Sequence, residues 1–364
     1  MTITGLKTNS AIEAEILETL SHSPYACSAL KQLSGGFSNF TYRGHTLNPL
    51  PDGSTSVCIK HGEEYFAEWK HVTASTIRCD AEQAIIQQVT QTHLQRVIYG
   101  DVSVRVPRLY HYFPQRNIQV GEDVNDSKTL PDSLQSLSLS SAVSIGQGLG
   151  RWLASFHTWA RSQAITDLPT VIKDNTQLFD MLTGHIYHII SEECKNKEIG
   201  QYCKDRLLEV AEEGVGVVHG DFTNRNVLIQ TSHKKDGPHV HLAIVDWEAC
   251  RYGDQSWDIA NFIASVYVPH RAYSVEVADP MLQAFIQGYG ILGDEQVFRV
   301  AIQTGMYIFL WSWYARGQLT EEKAEDLIQL ARCLLIKGCE RDREWVKHSF
   351  LGCLLDGAAA GNEN

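Results

Sequence analysis

Apolar residues recur at helical spacing from Ile12 to Leu20, after which the period shortens toward two. The segment Leu33-Ser-Gly-Gly-Phe-Ser-Asn-Phe-Thr-Tyr-Arg43 reads as strand, tight glycine turn and strand. A turn-rich run from Asn48 to Gly53 leads into a third strand, Ser56 to Lys60. Side chains alternate across a strand, so Cys58 and Lys60 share one face and Val57 and Ile59 the other; Lys60 is turned away from the apolar side. Ile77, Ala81, Ala84, Ile85 and Val89 then fall at helical spacing within a helix over 73–89, with Glu82 among them. Two further strands are predicted, Val104 to Phe113 and Ile118 to Val120. The first third of the chain is thus an antiparallel sheet with one main helix.

The pattern changes at Gly121. The stretch to Ser141 is polar, rich in serine and interrupted by Pro131, and its start reads as a hinge at about 120–124. Helices are predicted over 144–160, 175–192, 204–212, 260–265, 280–290, 294–315 and 320–348. One strand pair interrupts them, Val217 to Ile229 and His239 to Val245, joined by a polar turn over 231–238. The tail over 357–364 is expected to fray. The organisation is α+β in two lobes: residues 1–124, mainly sheet, and residues 125–364, mainly helix.

Composition narrows the functions open to such a chain. The 364 residues carry a formal charge of −12, which argues against nonspecific nucleic-acid binding through basic patches. A hydrophobic fraction of 43% with only ten prolines describes a folded protein. No run of apolar residues is long enough to span a bilayer, so no membrane partner is expected. The nine cysteines are odd in number and never fall in a C-x-x-C pair, which disfavours structural zinc and a disulfide framework. With an N-terminus that lacks both a basic start and an apolar stretch, this leads to the expectation of a reducing cytoplasm.

Chemistry concentrates in Val217-Val-His-Gly-Asp-Phe-Thr-Asn-Arg-Asn-Val-Leu-Ile229, a polar loop between two apolar runs. His219, Asp221 and Asn226 stand in the relation H-x-D-x-x-x-x-N, which lets a carboxylate and an amide converge if the loop curls between them. The same spacing occurs in the kinase catalytic loop, where the Asp takes the substrate hydroxyl proton and the Asn ligates magnesium. Downstream, Leu242-Ala-Ile-Val-Asp-Trp-Glu248 ends an apolar strand in acidic residues, and Asp246 is placed to supply a second magnesium ligand. Taken alone, such an Asp is more often a strand end or a helix cap; the loop upstream is what raises it to a candidate.

The stretches VVHGDFTNRNVLI and LAIVDWEACRYGDQSWDIANFI together resemble the aminoglycoside phosphotransferase and choline kinase superfamily of small-molecule kinases. The likeness spans about Leu33 to Phe262, and LSGGFSN, GEDVNDSKTL and DWEACRYG are most similar to its 4-hydroxytryptamine kinase and methylthioribose kinase branches. The resemblance implies a bilobal, protein-kinase-like fold, ATP and Mg²⁺ as cofactors, and a small-molecule hydroxyl as phosphoryl acceptor. In that frame Ser34, Gly35, Gly36, Ser38 and Asn39 form the phosphate turn, which departs from G-x-G-x-x-G by lacking a third glycine. Lys60 would hold the α- and β-phosphates with Glu82 as its partner, although Glu63, Glu64 and Glu68 are rivals for that pairing. Glu122, Asp123 and Val124 would meet the adenine through their backbone, Asp221 would act as base, and Asn226 and Asp246 would hold metal. His219 would orient the loop, and Asp258 would brace it.

The acceptor end is less marked. Glu248 could serve the metal indirectly or touch a substrate amine, and Asp254, Tyr252, Tyr267 and His270 follow the metal strand. Trp311 and Tyr314 share a helical face, where they could stack on a flat or cationic acceptor or simply pack the core. The acidic balance favours a cationic acceptor such as a hydroxytryptamine-like amine. Choline, aminoglycoside and methylthioribose acceptors are the alternatives, with a non-catalytic nucleotide-binding module as the contrasting class.

Overall fold

A computed structural model of the chain describes residues 6–34, 36–162, 169–194, 201, 205, 215–232 and 238–355. Gly35, the expected helix over 204–212, most of the 231–238 turn and the 357–364 tail lie outside the described residues. Helix α1 (Asn9–Leu20) is capped by the Thr8 hydroxyl and buries Ile12, Ile16 and Leu20. It packs on a sheet of order β1-β2-β3-β7-β6, made of β1 (Cys27–Gln32), β2 (Phe40–Thr46), β3 (Ser56–His61), β6 (Leu109–Phe113) and β7 (Ile118–Glu122). Every pairing in it is antiparallel.

Between β3 and β6 run α2 (Ile77–Thr90), β4 (Arg96–Tyr99) and β5 (Val102–Arg105). The strand expected over 104–113 is in fact two strands in different sheets. Pro107, with no N–H to give a ladder, falls where the chain leaves β5, and β6 starts two residues later. Strands β4 and β5 join β11 (Val240–Ile244), β10 (Val227–Thr231) and β8 (Lys128–Thr129) in the order β4-β5-β11-β10-β8, with β5 parallel to β11. The apolar face of α2, Ala81, Ile85 and Val89, also belongs to the larger core. Residues before 124 therefore contribute to both hydrophobic cores.

The remaining elements are mostly helical: α3 (Leu130–Leu134), α4 (Leu139–Ala160), α5 (Thr170–Asp174), α6 (Gln177–Cys194), α7 (Ser256–Tyr273), α8 (Ala278–Tyr289), α9 (Asp294–Tyr314), α10 (Glu321–Cys339) and α11 (Arg343–His348). A two-stranded ladder of β9 (Val215–Val218) and β12 (Arg251–Asp254) is set among them. The two apolar runs flanking the polar loop of 217–229 form β9 and β10, as expected, while the helix expected over 320–348 is broken at Arg341, whose φ is +54°. No helix among the described residues is long and apolar enough to cross a membrane.

Helices α4 and α8 pack almost backbone to backbone. A Cβ at Gly146 would overlap the carbonyl oxygen of Met281, and one at Gly150 that of Phe285. Gly150→Ala is therefore expected to cost about 1–3 kcal/mol of stability through overpacking. It should appear as a lower urea midpoint at unchanged slope; an unchanged midpoint would show that the crossing is looser than drawn. The contact matters for the site because α4 also carries His157.

Candidate active site

The polar loop is held from below by α7. Asp258 accepts backbone N–H bonds from His219 at 2.8 Å and Gly220 at 2.9 Å, and His157 Nε2 lies 3.1 Å from the same carboxylate. Burial opposes the Asp258 charge, but these bonds and the two histidines hold its pKa below the usual carboxylate value. Gly220 adopts φ +84°, and a Cβ there would overlap the Ala249 carbonyl, so glycine is required on both counts. The His219 ring is wholly buried; its Nε2 donates to Val245 O at 3.1 Å while Nδ1 accepts from the Asp221 N–H at 3.3 Å. Burial pushes its pKa down, so it is a neutral link between the loop and the end of β11.

Loop curvature brings Asp221 and Asn226 together. Asn226 Nδ2 donates to Asp221 Oδ2 at 2.8 Å and to its carbonyl at 2.9 Å. Asn261, one turn beyond Asp258 on α7, donates to Asp221 Oδ1 at 3.2 Å. The Asp221 pKa is pushed up to about 6, first by burial and then by the nearby Asp246 charge. Asn261 Oδ1 is buried without a hydrogen-bond partner.

Facing this pair, Lys60 Nζ on β3 lies 2.6 Å from Asp246 Oδ1 and 2.6 Å from Glu82 Oε1 on α2. Glu82 Oε1 also accepts the Trp247 N–H at 3.1 Å, so α2, β3 and the end of the β11 strand are tied at one point. Burial works against the Lys60 charge, yet Asp246, Glu82 and Glu248 hold its pKa well above the ordinary value. Asp246 is kept low by Lys60 against the cost of its burial. Glu82, not Glu63, Glu64 or Glu68, is the partner: Glu63 instead binds Lys7 at 2.6 Å and His61 at 2.7 Å.

Lys60, Glu82, Asn226, Val245, Asp246 and Trp247 line one cleft of about 780 Å³, whereas Asp221, Asn261 and the Asp258–His157–His219 brace are not among its lining residues. Its far end is walled by Glu122, Asp123 and Val124. The two acidic side chains there are already paired, Glu122 with Arg105 at 2.6 Å and Asp123 with Arg43 at 2.6 Å. Ser34 and Gly36 line the cleft at the glycine turn. Ser38 is buried and does not line the cleft, whereas Asn39 lines it with its amide engaged by Glu248 and Arg78.

Five of the acceptor-side candidates, Asp254, Tyr267, His270, Tyr252 and Tyr314, do not line the cleft. Asp254 does not line the cleft; it accepts from Ser256 at the start of α7 and pairs with Arg299 at 3.3 Å. Tyr267 stacks on Phe350 at 5.4 Å, while His270 pairs with Asp279 at 3.1 Å. Tyr252 is exposed in a separate cavity with Tyr289 and Ile291. Trp311 is half-buried and stands beside the cleft through Arg225, whose guanidinium lies 5.2 Å from the indole ring. Tyr314, 57% exposed, sits outside it. Glu248 lines the cleft, and its pKa is pushed up to about 8 by burial and by Asp246. The amide oxygen of Asn226 and the carboxylates of Asp246 and Glu248 are hard oxygen donors of the kind magnesium takes.

A profile of the phosphotransferase enzyme family matches residues 29–300, which contain every one of these cleft residues. The chain belongs to that family. This phosphotransferase is 29% identical over 374 residues to phosphotransferase FrzJ of Cladobotryum sp, covering 94% of this chain and 95% of that one. It is 25% identical over 311 residues to the 4-hydroxytryptamine kinase of Psilocybe cubensis, covering 81% and 84%. Among solved structures, a choline/ethanolamine kinase family protein from Mesorhizobium loti superposes with a TM-score of 0.50 at 15% identity, over 91% of this chain and 99% of that one. The fold is the α+β, bilobal, kinase-like one expected from the sequence, and the chain is a small-molecule phosphotransferase.

Sequence reasoning missed Asn261, Arg78 and the structural role of Asp254 at the start of α7. Asn261 carried a usable signal: it lies three residues after the bracing Asp258 on one helix, so both face the loop.

Proposed function

We propose that the protein transfers the γ-phosphoryl group of ATP to a hydroxyl of a small, amine-bearing metabolite. The observation that carries this is one cleft lined by the Lys60–Glu82–Asp246 chain and by Asn226, which is hydrogen-bonded to Asp221. In this reading the hinge at 120–124 receives the adenine on its backbone, and Lys60 holds the α- and β-phosphates. Asn226 and Asp246 would hold Mg²⁺, with Glu248 beside them. Bound there, the ion supplies charge neutralisation on the phosphates as the terminal group moves. Asp221 orients the acceptor hydroxyl and takes its proton late, because a loose transfer state asks for positioning more than for covalent help.

The acceptor is read from three supports. The relatives include a 4-hydroxytryptamine kinase, the chain carries −12 overall, and the aromatic Trp311 lies against Arg225, which lines the cleft. A hydroxytryptamine-like amine fits all three; choline, aminoglycosides and methylthioribose are the alternatives for the same machinery. A non-catalytic module is disfavoured because Lys60, Asp221, Asn226 and Asp246 are all in place. ATP consumption measured against a panel of hydroxytryptamines, amino alcohols, aminoglycosides and methylthioribose tests the reading. Fastest turnover on a hydroxylated aromatic amine supports it; turnover confined to methylthioribose would move the acceptor class.

A further inference from the structure

Arg78 is a charged side chain that is only 2% exposed, in a region where no function has been assigned to it. A guanidinium taken out of water must have its donors met and its charge balanced. Its Nε donates to Asn39 Oδ1 at 3.1 Å, and Nη2 to the carbonyls of Ser38 at 3.3 Å and Glu63 at 3.0 Å. Nη1 donates to the Ser75 carbonyl at 2.6 Å. The carboxylate nearest to it is Glu248, with Nε 3.8 Å from Oε2. Asn39 completes the circuit by donating from Nδ2 to that same Glu248 oxygen. Among the described residues no hydrogen bond reaches the other Glu248 oxygen, and the residue lines the cleft.

The helix adds a second tie. Glu82 stands four residues after Arg78, on the same side of α2. It holds the N–H of Trp247 together with Lys60, while Arg78 with Asn39 holds the neighbouring Glu248. One face of α2 thus grips two consecutive residues after Asp246 and, through the Ser38 carbonyl and Asn39, the base of the glycine turn.

We infer that Arg78 is a positioning residue for the phosphate end of the cleft, setting the glycine turn and Glu248 in register through Asn39. This rests on the nucleotide reading above. A residue that only cements the core would weaken the fold and leave the ligands equally affected. A positioning residue has a different signature, since adenosine engages the hinge alone whereas a triphosphate also needs the turn and the acidic strand end.

The test is calorimetric titration of the full chain with adenosine and, separately, with the magnesium complex of AMP-PNP, for wild type, Arg78→Lys, Arg78→Met and Asn39→Ala. Lysine keeps the charge but cannot reach four acceptors from one planar fork, so it is expected to rescue only part of the loss. We expect magnesium AMP-PNP to bind about tenfold or more weakly in Arg78→Met and Asn39→Ala, with adenosine changed by less than about twofold. The double variant should be no weaker than the poorer single one, because both cut one circuit. Equal losses for the two ligands, or unchanged AMP-PNP affinity, would overturn the inference. Should Arg78→Met fail to fold, Asn39→Ala decides alone. A wild-type chain that binds neither ligand would contradict the nucleotide reading itself, and the inference with it.

Discussion

Replacing Asp221 by Asn is expected to lower kcat by about a hundredfold or more while nucleotide affinity stays within a factor of about three. The substitution keeps the shape of the side chain. Asn226 and Asn261, which now donate to its two oxygens at 2.8 and 3.2 Å, would still meet a carbonyl on one side. What is lost is a basic oxygen for the acceptor proton. The pH dependence gives an independent reading of the same group. The Asp221 carboxyl is pushed up to about 6 by burial and by Asp246, so the active, ionised form is lost as pH falls through that value. Turnover should therefore decline on the acid side with an apparent pKa no higher than about 6, since bound magnesium favours the carboxylate. The variant should lose this limb along with its rate. Wild-type-like turnover in Asp221→Asn would remove the residue from the mechanism.

Asp246→Ala is the second large effect, and it falls on the metal. The residue stands at the end of β11 in a left-handed backbone with φ +68°, aimed so that one oxygen meets Lys60 at 2.6 Å. Alanine removes a hard oxygen ligand and leaves Lys60 paired with Glu82 alone. Nucleotide affinity measured with magnesium should then fall to the value measured without it, and kcat/KM should drop by about a hundredfold or more. Alanine in this left-handed backbone and the loss of one Lys60 counter-charge cost some stability, so the variant's folding is checked alongside. Asp246 raises the pKa of both Asp221 and Glu248, so its removal relieves charge repulsion among three buried carboxylates and should lower the Asp221 value. Titration calorimetry of ADP with and without Mg²⁺ checks the first expectation. A variant that keeps its full magnesium dependence would show that the ligand lies elsewhere.

The groups that could be read from the sequence share a property: their relation is local or sequential. Asp221 and Asn226 are five residues apart in one loop, and Asp246 ends the strand that follows, so spacing was enough to pair them. Lys60 was placed by strand alternation and Glu82 by its position on the following helix. Choosing Glu82 over Glu63 needed the structure, because Lys7 and His61 claim Glu63 from other elements. Arg78 and Asn39 lie 39 residues apart, and Asn39 and Glu248 lie 209 apart; their circuit leaves no periodic mark in the chain. Asp254 misled for a related reason. An acid just before a helix can as well bond the helix's own first residue, and here it accepts from Ser256 at the start of α7 and pairs with Arg299. The split of the 104–113 strand turned on Pro107, a breaker visible in the sequence whose effect depended on which sheet each half would join.

The charge pattern also acquires a place in the account. A chain of −12 must admit a polyanionic nucleotide, and the cleft itself gathers Asp246, Glu248 and Glu82 around Lys60. Those carboxylates are costly without a cation and become ligands or partners once one is bound. Phosphorus NMR of ATP and MgCl₂ incubated with the protein and a hydroxytryptamine tests the central claim most directly. The account predicts a new phosphomonoester resonance growing as the γ-phosphate signal falls, with the growth absent in Asp221→Asn. Loss of the γ signal into inorganic phosphate alone, or equal ester formation by the variant, would contradict it.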